Sequence, residues 1–132
     1  FTHFDLHTLN WDLCLTQANH KSDLALDMLR MLLESLPQTV SAIETALSQN
    51  DQTTMLSTIH KLHGASCYCG VPTTQRLCQE IESALKRDAR VEDLEPEILE
   101  LLDELTKVES AAKQVLSQLS AEITDDQKNG LL

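Results

Sequence analysis

The sequence predicts an all-α protein, an up-and-down antiparallel four-helix bundle with one or two extra N-terminal helices. Apolar residues, most of them leucine, recur at intervals of three and four along the chain, which is the spacing of one buried helix face. The three glycines and three prolines fall mostly where helices would begin or end. No stretch shows the polar and apolar alternation of a half-buried strand.

The N-terminal half contains two predicted helical regions. Residues 5–19 form a first amphipathic stretch, and Ser22 is a suitable N-cap for a second helix. Pro37 indicates either a kink in that helix or the start of a new one, because Ser35 and Gln38 have capping-box spacing. The sequence fits both alternatives.

The C-terminal half contains three predicted helices. One covers residues 53–69 and ends before Gly70, and Pro72 opens the next. The last carries an apolar seam over residues 94–119, whose spacing fits a bundle core and also a coiled coil. Because this seam dissolves near residue 122, residues 122–132 are predicted to be a frayed tail.

Length and composition favour one domain, predicted to cover residues 1–121. A chain of 132 residues with 42% apolar content can bury one core but not two. The formal net charge of −11 argues against binding to nucleic acid or to anionic lipid, since both need clustered Lys and Arg. No run of about 20 apolar residues is present to span a bilayer. The chain starts at Phe1 rather than Met, so it is interpreted as a fragment of a longer protein.

The four cysteines are too scattered for a disulfide framework and are read as reduced core or boundary residues. They are Cys14, Cys67, Cys69 and Cys78.

The candidate site is a histidine and glycine segment inside the helix over residues 53–69. No acidic residue occurs between Asp51 and Glu80 in an otherwise acidic chain. On a helical wheel His60 points about 140° away from the apolar face, with Gly64 one turn further on. Glycine in mid-helix costs roughly 1 kcal/mol relative to alanine. Its absence of a side chain would let another protein reach the imidazole.

Two other interpretations of the histidines compete with this one. His60, His63 and Cys67 could instead present ligands to a metal ion, or the bundle could be a plain adaptor, although no fourth metal ligand is evident. The remaining histidines, His3, His7 and His20, are read as ordinary surface residues.

The segment resembles the phosphoacceptor motif of histidine-containing phosphotransfer (HPt) domains. The residues that match in register are His60, Leu62, Gly64, Ala65, Ser66 and Gly70. The resemblance extends over residues 23–119 and is similar in detail to the C-terminal HPt domains of tripartite hybrid sensor kinases of the BarA and GacS type. The segments that carry this closer similarity are residues 60–64, 70–72, 77–79 and 92–97.

Two positions depart from the family pattern. The usual lysine three residues after the phosphoacceptor is His63 here, which can still donate a hydrogen bond to phosphate. The glutamine common on the neighbouring helix falls at Glu82, whose charge would disfavour phosphate unless it points aside. Gln79, one turn earlier, is therefore predicted to be the polar residue that contacts the phosphate.

The resemblance implies that His60 accepts a phosphoryl group from a receiver-domain aspartate and passes it to the aspartate of a response regulator. It implies no cofactor in this chain, with Mg²⁺ on the partner receiver, and no kinase activity of the isolated domain. The partners are the receiver of a parent hybrid kinase and a cognate response regulator, with no nucleic acid and no direct membrane contact. A monomeric cytoplasmic domain is expected, within a parent anchored in the inner membrane.

The predicted docking surface is the carboxylate-free face around His60. A receiver's phosphorylated aspartate lies among other acids, so a face without carboxylates avoids like-charge repulsion. The residues assigned to docking are Ser57, Lys61, Cys67, Arg76 and Glu82.

Overall fold

A computed structural model describes residues 5–130, with side chains through Leu119. Over this range the chain forms five α-helices and one 3₁₀ turn, without a β-strand, which confirms the predicted all-α class. The elements are α1 (Trp11–Gln17), α2 (Ser22–Gln49), α3 (Gln52–Ser66), α4 (Pro72–Lys86), the 3₁₀ turn (Val91–Leu94) and α5 (Glu95–Gly130). None of the described helices is both long and apolar enough to cross a membrane.

The four longer helices form the corners of a bundle. Helix α2 packs on α3 and α5, and α4 packs on the same two helices from the opposite corner. Because short connections join consecutive helices, neighbours run antiparallel, as the sequence predicts. The largest fully buried side chains include Leu29, Ile43, Met55, Ile59, Leu77, Ile98 and Leu105.

Helix α3 has the predicted inner face. Met55, Ile59, Leu62 and Ser66 are all buried at helical spacing. At its start the Asp51 carboxylate accepts a hydrogen bond from the backbone N–H of Thr54 at 3.1 Å, which caps the helix. The direction of the buried face fixes the outward direction of the residues between these positions.

Helix α1 is shorter than the predicted stretch over residues 5–19. It begins at Trp11 because the Asn10 side chain accepts a hydrogen bond from the backbone N–H of Leu13. Before it, Asp5 holds a turn by accepting from the backbone N–H of His7 at 2.8 Å. Leu6, within the stretch predicted to be helical, lies outside α1 and is 59% exposed.

Helix α2 passes through Pro37 without a break, so the alternative of a fresh start is wrong. Leu29, Leu36 and Ile43 are buried at seven-residue spacing on both sides of the proline, which keeps one face in phase. The Ser35 hydroxyl donates to the Leu32 carbonyl at 2.7 Å and caps no new helix. Ser22 is the first residue of α2 and not its N-cap, a position that Lys21 occupies without a side-chain hydrogen bond.

Gly70 closes the turn between α3 and α4. Helix α3 ends at Ser66, three residues before the predicted end, and the turn reaches Gly70 with a φ of 63°. The Gly70 carbonyl accepts from the backbone N–H of Asn10 at 2.8 Å. A Cβ atom at Gly70 would lie 2.4 Å from the Asn10 carbonyl oxygen, so this close approach requires glycine.

Helix α5 continues past residue 122 to Gly130, beyond the end of its apolar seam. The boundary predicted at residue 121 stays a prediction, and residues 131–132 lie outside the described range.

All four cysteines are free thiols. Cys14, Cys69 and Cys78 are buried, and burial raises the pKa of the Cys14 thiol to about 11. These three are inert core residues.

Candidate functional site

The outer face of α3 presents a histidine beside an open space. The His60 side chain is 70% exposed. One turn further on, Gly64 is exposed, and a Cβ atom built there would have no neighbouring atom within 4 Å. The glycine therefore has no packing role within the domain, and it leaves the approach to His60 free.

A single carboxylate on α4 contacts both histidines of this face. Glu82 is almost buried, with 8% of its side chain exposed. Its Oε2 lies 2.5 Å from Nδ1 of His60, and its Oε1 lies 2.9 Å from Nδ1 of His63. The ammonium of Lys86, one turn later on α4, is 3.5 Å from Oε2. The two oxygens are thus shared among three donors.

These contacts set the protonation of Glu82. Burial alone would raise its pKa, but the hydrogen bonds from His63 and His60 and the charge of Lys86 outweigh burial and lower the pKa to about 2. Glu82 is therefore ionised at neutral pH and can only accept hydrogen bonds. Each histidine must then carry a proton on Nδ1. In the neutral form of His60 this leaves Nε2 with a free electron pair.

This geometry corrects the expected orientation of Glu82. Glu82 does not point aside: it is the polar partner of both rings, and its burial removes the carboxylate from the docking surface. Gln79, predicted to contact the phosphate, is exposed and lines a surface groove with Arg76, Ser83 and Arg87, and its contact with a phosphate stays a prediction. His63, predicted to donate to phosphate, donates its Nδ1 proton to Glu82.

A shallow cleft lies beside His60 toward the N-terminus of α3. It has a volume of about 490 Å³, and its walls include Leu56, Ser57 and Lys86 as well as His60. Ser57 and Lys61 are both exposed on α3. The site is therefore open to a partner surface and is not an enclosed pocket.

Arg76 and Cys67, also assigned to docking, lie outside the cleft beside His60. Arg76 is exposed on α4 and pairs with Glu80 at 3.1 Å. Cys67 is half-buried, and its thiol donates to the His63 carbonyl at 3.3 Å and accepts from the Gln75 amide at 3.6 Å. Cys67 lies at the edge of the face and not at its centre.

The alternative of a metal site on His60, His63 and Cys67 has no support. Both rings direct Nδ1 to Glu82, and the Cys67 thiol donates to a backbone carbonyl. Within residues 5–130, no group of three or more His, Cys, Asp or Glu side chains is arranged to hold a metal ion. Of the histidines read as surface residues, His7 and His20 are exposed, and His3 lies outside the described range.

The sequence contained an indication that Glu82 is buried, which was missed because a charged residue is usually exposed. Cys78, Ile81 and Leu85 are the buried residues around it on α4, so Glu82 is an acid next to the apolar stripe. Lys86 follows at i+4, the favourable order for an ion pair on a helix. An acid in that position requires hydrogen-bond donors on the facing helix.

An antiparallel helical bundle that holds one histidine on an open helix face is the architecture of a phosphotransfer module. The chain belongs to the Hpt domain family, whose model matches residues 27–111.

Similar proteins include sensor kinases and solved HPt domains. The chain is 48% identical over 109 residues to the signal transduction histidine-protein kinase BarA of Escherichia coli (strain K12). It is 45% identical over 84 residues to the sensor histidine kinase GacS of Pseudomonas protegens. The BarA match covers 83% of this chain and 12% of that protein. The GacS match covers 64% of this chain and 9% of that protein. The chain therefore spans only a small part of these relatives.

Two solved structures have the same fold. The HPt domain of a hybrid histidine kinase from Shewanella is 88% identical, with a TM-score of 0.87 over 88% of this chain and 99% of that one. The phosphotransfer protein HptB of Pseudomonas aeruginosa gives a TM-score of 0.72 over 84% of this chain and 96% of that one. At 18% identity, the second match shows the shared fold alone.

Proposed function

We propose that this chain is a phosphorelay intermediate in which His60 accepts a phosphoryl group from a receiver aspartate and returns it to the aspartate of a response regulator. The observation that carries the proposal is the state of His60. Its ring is exposed, its Nδ1 is held by Glu82, and Gly64, one turn later, places no side chain on the approach to it. Membership of the Hpt family supports the same reaction.

The transfer step uses the free electron pair of His60. Nε2 attacks the phosphorus of the aspartyl phosphate, a nitrogen–phosphorus bond forms, and the carboxylate of the receiver leaves with the electrons of the broken oxygen–phosphorus bond. The reverse step delivers the group to the second aspartate. Mg²⁺ and the positive charge that stabilise the transferring group belong to the receiver. The domain therefore acts as a carrier and not as a kinase.

The receiver would dock over the exposed face of α3 and the adjoining edge of α4. Ser57 and Lys61 lie on the approach to His60, Arg76 lies on α4, and Cys67 lies at the border. Helix α3 itself contains no acid, and the exposed acid on the adjoining edge of α4, Glu80, pairs with Arg76 at 3.1 Å. A partner with an acidic site can approach here with less repulsion than elsewhere. Such a contact would be small and transient.

The chain would function as part of a hybrid sensor kinase. The relatives BarA and GacS are sensor kinases, and this chain matches a small share of each. Its partners would then be the receiver of the parent kinase and a separate response regulator. The domain would be a monomer on the cytoplasmic side of the parent protein, which would be anchored in the inner membrane.

The experiment measures transfer of a labelled phosphoryl group to this chain from a receiver domain that has been phosphorylated by a small phosphodonor. Wild-type chain should acquire label only when the charged receiver is present, and the label should be lost in acid, as expected of a phosphoramidate. His60→Gln should abolish labelling while the helical circular dichroism stays unchanged. His20→Gln, an exposed histidine elsewhere, is the matched control and should label normally. Full labelling of His60→Gln would refute the assignment.

A further inference from the structure

Glu82 binds two imidazoles from consecutive turns of α3, with one oxygen for each ring. His60 and His63 are three residues apart, so their side chains lie on one side of the helix. Both rings present Nδ1 to the carboxylate, at 2.5 Å and 2.9 Å. A fork of this kind fixes the orientation of both rings relative to α4.

The carboxylate also fixes which nitrogen of His60 is nucleophilic. A neutral imidazole in water exchanges its proton between Nδ1 and Nε2. Because ionised Glu82 accepts and cannot donate, the tautomer with hydrogen on Nδ1 is favoured. Nε2 is then both unprotonated and directed to the exposed side, where a receiver could reach it.

The charge of Glu82 has a second consequence once the phosphoryl group has been transferred. Nitrogen–phosphorus bond formation at Nε2 uses the ring's electron pair while hydrogen remains on Nδ1, so the ring becomes positively charged. An anion hydrogen-bonded to Nδ1 stabilises this product more than a neutral amide would. A glutamine at this position could orient the ring but could not supply the charge.

We propose that Glu82 is a positioning residue that selects Nε2 of His60 as the phosphoryl acceptor and stabilises the phosphorylated ring through its negative charge, with His63 holding the second carboxylate oxygen. This inference rests on the proposed role of His60. His63 acts through Glu82: without a donor on Oε1, a nearly buried carboxylate oxygen would be left unpaired. His63 is accordingly not assigned to the phosphate.

The charged groups around the carboxylate are consistent with this role. Helix α3 contributes His60 and His63, and α4 contributes Lys86 at 3.5 Å. Cys78, one turn earlier on α4, is buried, and its burial together with the charge of Glu82 raises its pKa to about 12. The Cys78 thiol is therefore neutral, and it does not compete with Glu82 as an acceptor of the Nδ1 protons of His60 and His63. Lys86 is 59% exposed, so solvent screens its charge more than it screens the buried contacts.

The test begins with the unphosphorylated wild-type domain and needs no partner. Nitrogen-15 spectra of the imidazoles, recorded above the ordinary imidazole pKa of about 6.5, report which ring nitrogen carries hydrogen. We expect hydrogen on Nδ1 of His60 in the wild type and in Glu82→Gln, and a mixture of tautomers in Glu82→Ala. Hydrogen on Nε2 in the wild type would overturn the proposal, whatever the variants do.

In the second measurement the domain is phosphorylated chemically with phosphoramidate. This reagent transfers its phosphoryl group to histidine and releases ammonia. Phosphorus-31 spectra should show modification at Nε2 of His60 in the wild type. The equilibrium extent in Glu82→Gln should fall by about fivefold, the factor expected when a hydrogen bond to a charged group becomes one to a neutral group. His63→Gln, which can still donate to Glu82, should retain more phosphorylation than His63→Ala.

Glu80→Gln is the matched control, because Glu80 is an exposed acid on the same helix that pairs only with Arg76 among the described residues. It should leave both spectra unchanged. Equal phosphorylation of wild type and Glu82→Gln would contradict the role of the charge. Normal chemical phosphorylation without any receiver-dependent labelling would instead contradict the proposed relay function and leave the role of Glu82 intact.

Discussion

Gly64 and Gly70 lie six residues apart and have different physical roles. Gly64 has ordinary helical geometry inside α3 and no neighbour within 4 Å of a Cβ position. Gly70 has a φ of 63°, and a Cβ there would meet the backbone of Asn10 and Cys14. The first glycine therefore makes no packing contact, whereas the second permits the close approach of the turn to α1.

Alanine substitutions should separate these roles. Gly64→Ala should leave stability unchanged or raise it by up to about 1 kcal/mol, because alanine is the better helix former. It should nevertheless slow transfer from the receiver, since a methyl group would narrow the approach to His60. Gly70→Ala should lower stability by at least roughly 1–2 kcal/mol from its left-handed backbone alone. Urea unfolding measures the two changes in stability, and receiver-dependent labelling measures the transfer rate.

A Gly64→Ala variant that is less stable but transfers phosphate normally would contradict this account. It would mean that Gly64 serves packing.

The sequence predicted part of the site residue by residue. The directions of His60 and Gly64 followed from helix periodicity, because both lie opposite a clear apolar face. The contact between Glu82 and the two histidines did not follow, since it depends on how α3 and α4 are rotated and shifted against each other. Periodicity can mark Glu82 as an acid next to the apolar stripe, but it cannot show which residues of α3 lie opposite that acid.

At the scale of elements, α3 combines a buried face with an exposed face free of acids. Asp51 caps its start, and the next acid in the chain is Glu80 on α4. The exposed side can therefore approach a negatively charged partner, while the buried side anchors α3 between α2 and α4.

A new acid on the exposed face should weaken docking. Ser57 is exposed in the cleft beside His60, so Ser57→Asp should reduce receiver affinity by roughly tenfold through like-charge repulsion. Ser110→Asp, an exposed serine on α5, adds the same charge elsewhere and should have little effect. Chemical-shift titration of the labelled receiver measures both. Loss of binding in Ser110→Asp but not in Ser57→Asp would show that the receiver docks on another face.

The bundle helices were more predictable than the N-terminal region. Helices α2 to α5 each bury a regular apolar stripe, so periodicity identified them. Pro37 was ambiguous because local sequence cannot show that tertiary contacts hold both halves of α2 in phase. The predicted first helix was longer than α1. The start of α1 depends on the side chain of Asn10 and on the contact of Asn10 with Gly70, which lies far away in sequence.

At the scale of the whole molecule, the distribution of charge complements the site. The chain carries a net charge of −11, yet the segment from His60 to Gln79 contains no acid. Repulsion from the rest of the surface would disfavour other docking orientations of an acidic receiver more than the productive one. The proposed docking of a receiver at His60 would therefore meet less repulsion than docking elsewhere on the surface.

Direct mapping of the phosphoryl group tests the central claim most directly. The wild-type chain is phosphorylated by a charged receiver, digested at alkaline pH to preserve phosphoramidates, and analysed by mass spectrometry. We expect a single phosphohistidine at His60 and none at the other four histidines of the chain. A phosphoryl group on His63, or on any residue other than His60, would contradict it.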